Sequence, residues 1–181
     1  EWDDDIKKRR PEVIELYRNE LSDEIEFWSF IQFLFFKQWN ELKSYANEKG
    51  IKIIGDMPIY VAEDSADVWS NPEAYLIYEE TLKPISIAGC PPDAFSETGQ
   101  LWGNPLYDWN YMEKTGYKWW IKRVEESLKL YDVVRIDHFR GFESYWEIPY
   151  GDTTAINGEW VKGPGIKLFN AIKESLGEIN V

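Results

Sequence analysis

The sequence contains one cysteine and one histidine in 181 residues, and this scarcity excludes several kinds of site. Cys90 alone cannot form an internal disulfide, which is compatible with a reducing cytoplasm, so we expect a cytoplasmic protein. His138 has no second histidine and no cysteine cluster with which to build a zinc site. No Gly-x-Ser-x-Gly nucleophile motif is present, and no Gly-rich phosphate loop follows a predicted strand. The absent phosphate loop counts against a nucleotide-binding Rossmann sheet.

Basic residues are also scarce, with 20 Lys and Arg against 33 Asp and Glu, for a net charge of −13. Such a surface repels phosphate backbones and anionic membranes, so we expect neither nucleic acid nor membrane as a partner. No apolar run approaches the length of a membrane span, because charged and polar residues interrupt the longest apolar-rich segment, 25–46. The charge therefore favours an uncharged substrate.

Aromatic residues are abundant by contrast, with 10 Trp, 11 Tyr and 9 Phe. Most such rings belong in a core, where they supply much of the buried area. Flat rings in polar loops can also stack on the apolar faces of sugars. The composition therefore suggests a carbohydrate ligand without establishing one.

Helix and strand patterns alternate along the chain. Apolar spacing predicts a long helix over about 22–49, with Ser22 as its N-cap and Gly50 as its stop. The other predictions are helices over about 11–20, 116–130 and 165–177, and strands over 51–56, 131–136 and from 178 onward. Alternation of this kind indicates an α/β fold with a parallel sheet.

The predicted connections are strongly unequal in length. Helix-to-strand turns take one or two residues, whereas the strand-to-helix stretches 56–115 and 137–163 are long and are predicted to be irregular. All of the long loops leave the carboxyl ends of strands, where (β/α)8 barrels and doubly wound sheets carry their active sites.

The segment "VVRIDH" ends the second predicted strand with three candidate site residues. Arg135 and Asp137 are two positions apart, so their side chains point to the same side of a strand. The Arg135 cation beside Asp137 favours an ionised, fixed carboxylate, which suits a nucleophile. The pattern alone fits an ordinary Arg–Asp ion pair at a strand end at least as well. His138 could donate a hydrogen bond to a substrate, or be an ordinary hydrogen-bonded histidine.

Two further stretches offer candidate ligand-binding side chains. Asp56 ends the strand in "IGDMPIYV" and would face the same cleft if the strands are neighbours, although a turn Asp after Gly55 is common. The loop "AGCPPDAFSETGQLWGNPLYDW" combines a charge, hydrogen-bonding groups and flat rings, as a polyhydroxylated ligand requires; it could also be a surface loop pinned by a buried Trp. Its candidate residues are Asp93, Phe95, Ser96, Gln100 and Trp102.

Three long motifs together resemble glycoside hydrolase family 77, the amylomaltases or 4-α-glucanotransferases. They are "IGDMPIYVAEDSADVWSNPEAYL", "GCPPDAFSETGQLWGNPLYDW" and "VVRIDHFRGFESYWEIPYGDTTAINGEWVKGPG". The resemblance implies part of a (β/α)8 TIM barrel of the α-amylase type, with long strand-to-helix loops. Residues 1–181 would form one partial catalytic barrel of about three strands, with a substrate-loop insertion at about 56–115 and no second domain.

The same resemblance assigns roles to individual residues. It implies that Asp137 is the nucleophile, Arg135 orients it, and His138 binds substrate where the bond breaks. It also implies that Asp56 binds substrate. It assigns five residues to a mobile loop over the cleft: Asp93, Phe95, Ser96, Gln100 and Trp102. The implied donor and acceptor are α-1,4-glucans or maltooligosaccharides, and no metal or organic cofactor is implied.

The resemblance further implies a retaining double displacement whose acid/base Glu, and a third Asp, lie beyond Val181. Because the chain starts at Glu1 without Met and ends in a predicted strand, we expect a fragment of a longer protein. We expect this fragment to be inactive alone, because the implied acid/base Glu lies outside it. Two alternatives share the aromatic loops: an α-amylase-type hydrolase with water as acceptor, and a non-catalytic glucan-binding protein.

Overall fold

A computed structural model describes residues 2–181 and divides the chain into two units, Glu1–Ile53 and Ile54–Val181. The first unit consists of the helices α1 (Asp4–Lys7), α2 (Pro11–Glu20) and α3 (Ser22–Glu48). Pro11 occupies the first helical position of α2, where its missing N–H costs nothing. Gly50 ends α3 with a φ of 74°, as predicted.

The start of α3 differs from the prediction. Ser22 is the first helical residue rather than the N-cap; Leu21 precedes it, and no side chain caps the helix. The reason is that α2 runs to within one residue of α3, so that the Leu21 carbonyl already accepts from the Ile25 N–H. None of the residues of α3 is buried.

The second unit contains six strands, which form two separate sheets. The strands are β1 (Ile54–Pro58), β2 (Ser86–Cys90), β3 (Gln100–Pro105), β4 (Val133–Asp137), β5 (Ser144–Pro149) and β6 (Glu159–Lys162). The strands β1 and β4 pair in parallel, as the alternating pattern predicts. Both lie slightly later in the chain than predicted, because the pairing includes Met57, Pro58 and Asp137, which lie beyond the predicted ends.

The prediction that 56–115 and 137–163 are irregular is wrong. These stretches supply a four-stranded antiparallel sheet in the order β3-β2-β5-β6. In it, Ala88 of β2 lies opposite Glu147 of β5, and Gly89 lies opposite both Leu101 of β3 and Trp146 of β5. The sheet therefore orders the long loops beyond the carboxyl ends of β1 and β4.

Helices α4 (Ala66–Ser70), α5 (Trp109–Lys114), α6 (Lys118–Leu130) and α7 (Ile166–Leu176), with two short 3-10 helices at Pro72–Ala74 and Phe139–Phe142, complete the second unit. The predicted helices over 116–130 and 165–177 correspond to α6 and α7. Their apolar faces bury Trp120, Val124, Leu168 and Ile172 in one core with Val134 of β4. This packing covers one face of the parallel pair.

The predicted third parallel strand is not formed within the described residues. The segment 178–181 makes one strand-like bond, from the Val134 N–H to the Asn180 carbonyl oxygen at 2.9 Å, which is too little for a ladder. Among residues 2–181, no helix is long and apolar enough to cross a membrane.

Candidate active site

An arginine bridges two carboxylates at the carboxyl ends of β1 and β4. Arg135 donates from Nη1 to Asp56 Oδ2 at 2.9 Å and from Nη2 to Asp137 Oδ1 at 2.7 Å. The strand register sets Asp56 opposite Arg135 and Pro58 opposite Asp137. Because side chains alternate along a strand, all three charged groups lie on the face opposite the buried core.

The bridge fixes the orientation of the Asp137 carboxylate. A guanidinium presents several donors in a rigid fork, so it can hold both carboxylates at once. The Arg135 and Asp137 side chains are 63% and 57% exposed, and ion pairs this exposed contribute little to stability. The bridge therefore contributes little to the stability of the 181-residue chain.

His138 follows directly and turns the chain out of β4. Its backbone is left-handed, with a φ of 52°, and its ring centroid lies 4.8 Å from that of Trp102 in a T-shaped contact. Burial lowers the pKa of His138, and nearby Arg140 lowers it further, while Asp137 acts in the opposite direction. The imidazole is therefore neutral at neutral pH and can both donate and accept a hydrogen bond.

Strand β3 brings two more of the predicted residues to His138. The Trp102 indole Nε1 donates to Gln100 Oε1 at 3.0 Å, so that the amide holds the indole that contacts the histidine. Side chains two apart on a strand share a face, which explains this pairing. Thus Gln100, Trp102 and His138 lie together.

The other loop residues make contacts within their own turn. Asp93 Oδ1 accepts from the backbone N–H groups of Phe95 and Ser96, both at 2.8 Å, and Ser96 Oγ donates to the Gly99 carbonyl at 2.7 Å. Phe95 is 98% exposed at the tip. Within residues 2–181, no hydrogen bond joins the side chains of Asp93 or Ser96 to Asp137.

Sequence reasoning missed Tyr60, which lies just past β1. Its ring centroid is 6.4 Å from that of His138, 6.3 Å from that of Trp102 and 6.0 Å, stacked, from that of Tyr107. Burial raises the pKa of Tyr60, so its hydroxyl stays protonated. Its position four residues after Asp56, beyond the same strand end, was the signal available in the sequence.

Residues 1–181 match the family described as 4-alpha-glucanotransferase, glycoside hydrolase family 77. The chain belongs to glycoside hydrolase family 77. The resemblance stated from the three motifs is thereby confirmed.

Curated relatives in family 77 are similar over almost the whole chain. The 4-alpha-glucanotransferase of Clostridium butyricum is 61% identical over 180 residues, which are 99% of this chain and 37% of the relative. The protein of the same name from Thermus thermophilus is 53% identical over 180 residues, 99% of this chain and 36% of the relative. The chain thus spans little more than a third of the length of these relatives.

A solved family 77 structure, amylomaltase from Streptococcus agalactiae in complex with acarbose, superposes with a TM-score of 0.95 at 50% identity. The match covers 99% of this chain and 36% of that one. The amylomaltase from Corynebacterium glutamicum, at 22% identity over 86% of this chain and 21% of that one, has a TM-score of 0.72 and shows the fold alone. The predicted fold class, part of a TIM barrel, is confirmed.

Proposed function

We propose that this chain carries the nucleophile of a 4-α-glucanotransferase acting on α-1,4-glucans or maltooligosaccharides. The observation that carries the proposal is the Arg135 bridge, which orients Asp137 at the carboxyl end of a parallel strand beside Asp56. Membership of family 77 and the names of the relatives support the same activity.

The proposed reaction is a retaining double displacement through a covalent intermediate. Asp137 attacks the anomeric carbon of the donor, forming an ester bond as the glycosidic bond breaks, and a second carboxyl group protonates the leaving oxygen. The acceptor's 4-hydroxyl then attacks the same carbon and gives its proton to that second group, which frees Asp137. In retaining sites the two carboxyl groups lie about 5–5.5 Å apart.

The ring cluster provides the surface on which glucosyl units would rest. Trp102, held by Gln100, and neutral His138 offer a flat ring and a hydrogen-bonding group beside Asp137. Asp93, Phe95 and Ser96 belong to the turn that would close over the chain of sugars. Transfer exceeds hydrolysis when such contacts hold an acceptor hydroxyl in place before water reaches the intermediate.

The proposal includes an acid/base Glu that residues 1–181 do not supply, so these residues alone should be inactive. The isolated 181-residue polypeptide, incubated with maltotriose, should release neither glucose nor longer oligomers. Formation of both products would contradict that part of the proposal. The expected cytoplasmic location also stays a prediction; the relative from Solanum tuberosum is named chloroplastic/amyloplastic.

The decisive experiment compares the full-length protein with its Asp137→Asn variant. The parent should convert maltotriose into glucose and a ladder of longer maltooligosaccharides, whereas the variant should lose turnover and keep oligosaccharide binding in calorimetry. Rising reducing ends without a ladder would indicate a hydrolase instead. Binding without turnover by the parent would indicate a pure glucan-binding protein.

A further inference from the structure

Arg123 of α6 reaches across to the end of strand β1. Its Nη2 donates to the Pro58 carbonyl at 2.7 Å, and its Nη1 donates to the Ile59 carbonyl at 3.1 Å and to the Tyr107 hydroxyl at 2.9 Å. The Tyr107 hydroxyl in turn donates to the same Ile59 carbonyl at 2.6 Å. One guanidinium and one phenol therefore hold the two backbone carbonyls where the strand ends.

Two aromatic rings also contact the guanidinium. Its central carbon lies 5.3 Å from the Trp119 ring centroid and 5.1 Å from that of Trp120. Trp120 is fully buried, so the cation rests on a rigid surface. Arg123 thus has little freedom to move, and neither does the segment it holds.

The segment that Arg123 holds, residues 58–60, leads directly to the candidate site. Pro58 lies opposite Asp137 in the parallel pair, and Ile59 precedes Tyr60. The Tyr60 ring contacts the rings of Tyr107, His138 and Trp102. A displacement of Arg123 would therefore shift residues 58–60 and, with them, the rings beside Asp137.

We propose that Arg123 is a positioning residue, which fixes segment 58–60 so that the Tyr60 ring holds His138 and Trp102 in place for the acceptor. This inference rests on the proposed glucanotransferase function. The hydrogen bonds of the Arg123 side chain go to Pro58, Ile59 and Tyr107, so Arg123 acts through this segment and through the Tyr107 ring that stacks on Tyr60. A lysine cannot replace it, because one ammonium lacks the planar fork that serves three acceptors.

The test uses the ratio of hydrolysis to transfer in the full-length protein. Both products arise from the same intermediate, so their ratio does not depend on how much of the enzyme is folded. Arg123→Lys should raise this ratio and lower kcat/KM for maltotriose by between about tenfold and a hundredfold, as small displacements of positioned groups do. Tyr107→Phe removes only the hydroxyl link and should change the ratio in the same direction, by less.

Val124→Ala is the matched control. Val124 is the next residue of α6 and is fully buried, so its truncation destabilises the same helix without touching the carbonyls of segment 58–60. Its thermal midpoint should fall while its product ratio stays that of the parent. Equal ratios in Arg123→Lys and Val124→Ala would overturn the proposal, because Arg123 would then act through stability alone.

A double-mutant cycle with Tyr60→Ala tests whether Arg123 acts through Tyr60. If Arg123 acts through Tyr60, Arg123→Lys should add little to the loss already caused by Tyr60→Ala. Additive losses would overturn the proposal. If Asp137→Asn retains transfer, the proposed function itself fails. If Asp137→Asn abolishes transfer but Arg123→Lys leaves the ratio of hydrolysis to transfer unchanged, only this inference fails.

Discussion

Arg135 illustrates how a single residue can matter for activity and little for stability. In the 181-residue chain its ion pairs with Asp56 and Asp137 are exposed to water, so replacing it should change the free energy of unfolding of that chain by less than about 1 kcal/mol. Arg135→Lys loses the fork that reaches both carboxylates at once, so we expect transfer to fall at least about tenfold. Thermal unfolding of the 181-residue chain and maltotriose turnover by the full-length protein measure the two effects separately.

A comparably exposed ion pair away from the site provides the control. Lys167 lies 2.6 Å from Glu113, with side chains 65% and 50% exposed. Lys167→Met should leave both stability and transfer close to those of the parent. A large stability loss in Arg135→Lys would show that the bridge is chiefly structural.

His138 should make stability depend on pH. Burial lowers its pKa in the folded state below the ordinary value of 6.5, so the unfolded chain binds a proton more readily. Stability should therefore fall as the pH drops from 6.5 toward the lowered folded value, and be unaffected by this group above that window. His138→Asn should flatten this part of a thermal-midpoint profile, since Asn tolerates the left-handed backbone. An unchanged profile would contradict the prediction.

At this scale the sequence predicts contacts along one strand better than contacts between strands. The two-residue spacing of Arg135 and Asp137 suffices to predict a shared face, and the ion pair forms as expected. The bond to Asp56 depends on the register of two strands 79 residues apart in the chain, which no local pattern encodes. Tyr60 was missed for the same reason, since its neighbours come from two other segments.

Among the elements, the antiparallel sheet is the largest difference between expectation and structure. Strand β2, "SIAGC", is buried at four of its five positions and therefore shows no alternation of polar and apolar residues. Its partners β3 and β5 begin 14 and 58 residues after β2 begins. The helices were predictable because their apolar spacing is local, whereas this sheet depends on pairing between distant segments.

Gly89 is the position on which the pairing of β2 with β3 depends. A Cβ there would clash with the backbone carbonyl oxygen of Gln100, which cannot move without breaking the ladder. Gly89→Ala should lower the free energy of unfolding by about 1–3 kcal/mol, as overpacking does, and reduce transfer by displacing Gln100 and Trp102. Denaturant unfolding and turnover of the full-length protein would measure both effects.

Gly116→Asn is the control for removing a glycine as such. Gly116 has a φ of 67°, and no atom lies within 4 Å of an added Cβ. Asn adopts this conformation more easily than other residues, so the variant should lose less stability than Gly89→Ala and keep its activity. Equal losses in both variants would indicate that backbone freedom, rather than the clash, determines the effect.

For the molecule as a whole, exposed aromatic surface and net charge have opposite effects on association between copies of the chain. Helix α3 exposes large apolar side chains, among them Phe27, Trp28 and Phe33 at 55%, 62% and 61%. Apolar surface of this kind favours association in water. The net charge of −13 repels other copies, but salt screens this repulsion, since the Debye length falls from about 30 Å at 0.01 M to about 10 Å at 0.1 M.

The isolated 181-residue chain should therefore associate increasingly as salt is added. Light scattering at a fixed protein concentration should rise with sodium chloride, because hydrophobic attraction persists while charge repulsion is screened. Phe33→Ser should shift the onset to higher salt, whereas Phe95→Ser should shift it less, since Phe95 is a single exposed ring on a loop tip. Scattering that stays flat with salt, or that responds equally to both substitutions, would contradict the assignment of association to α3.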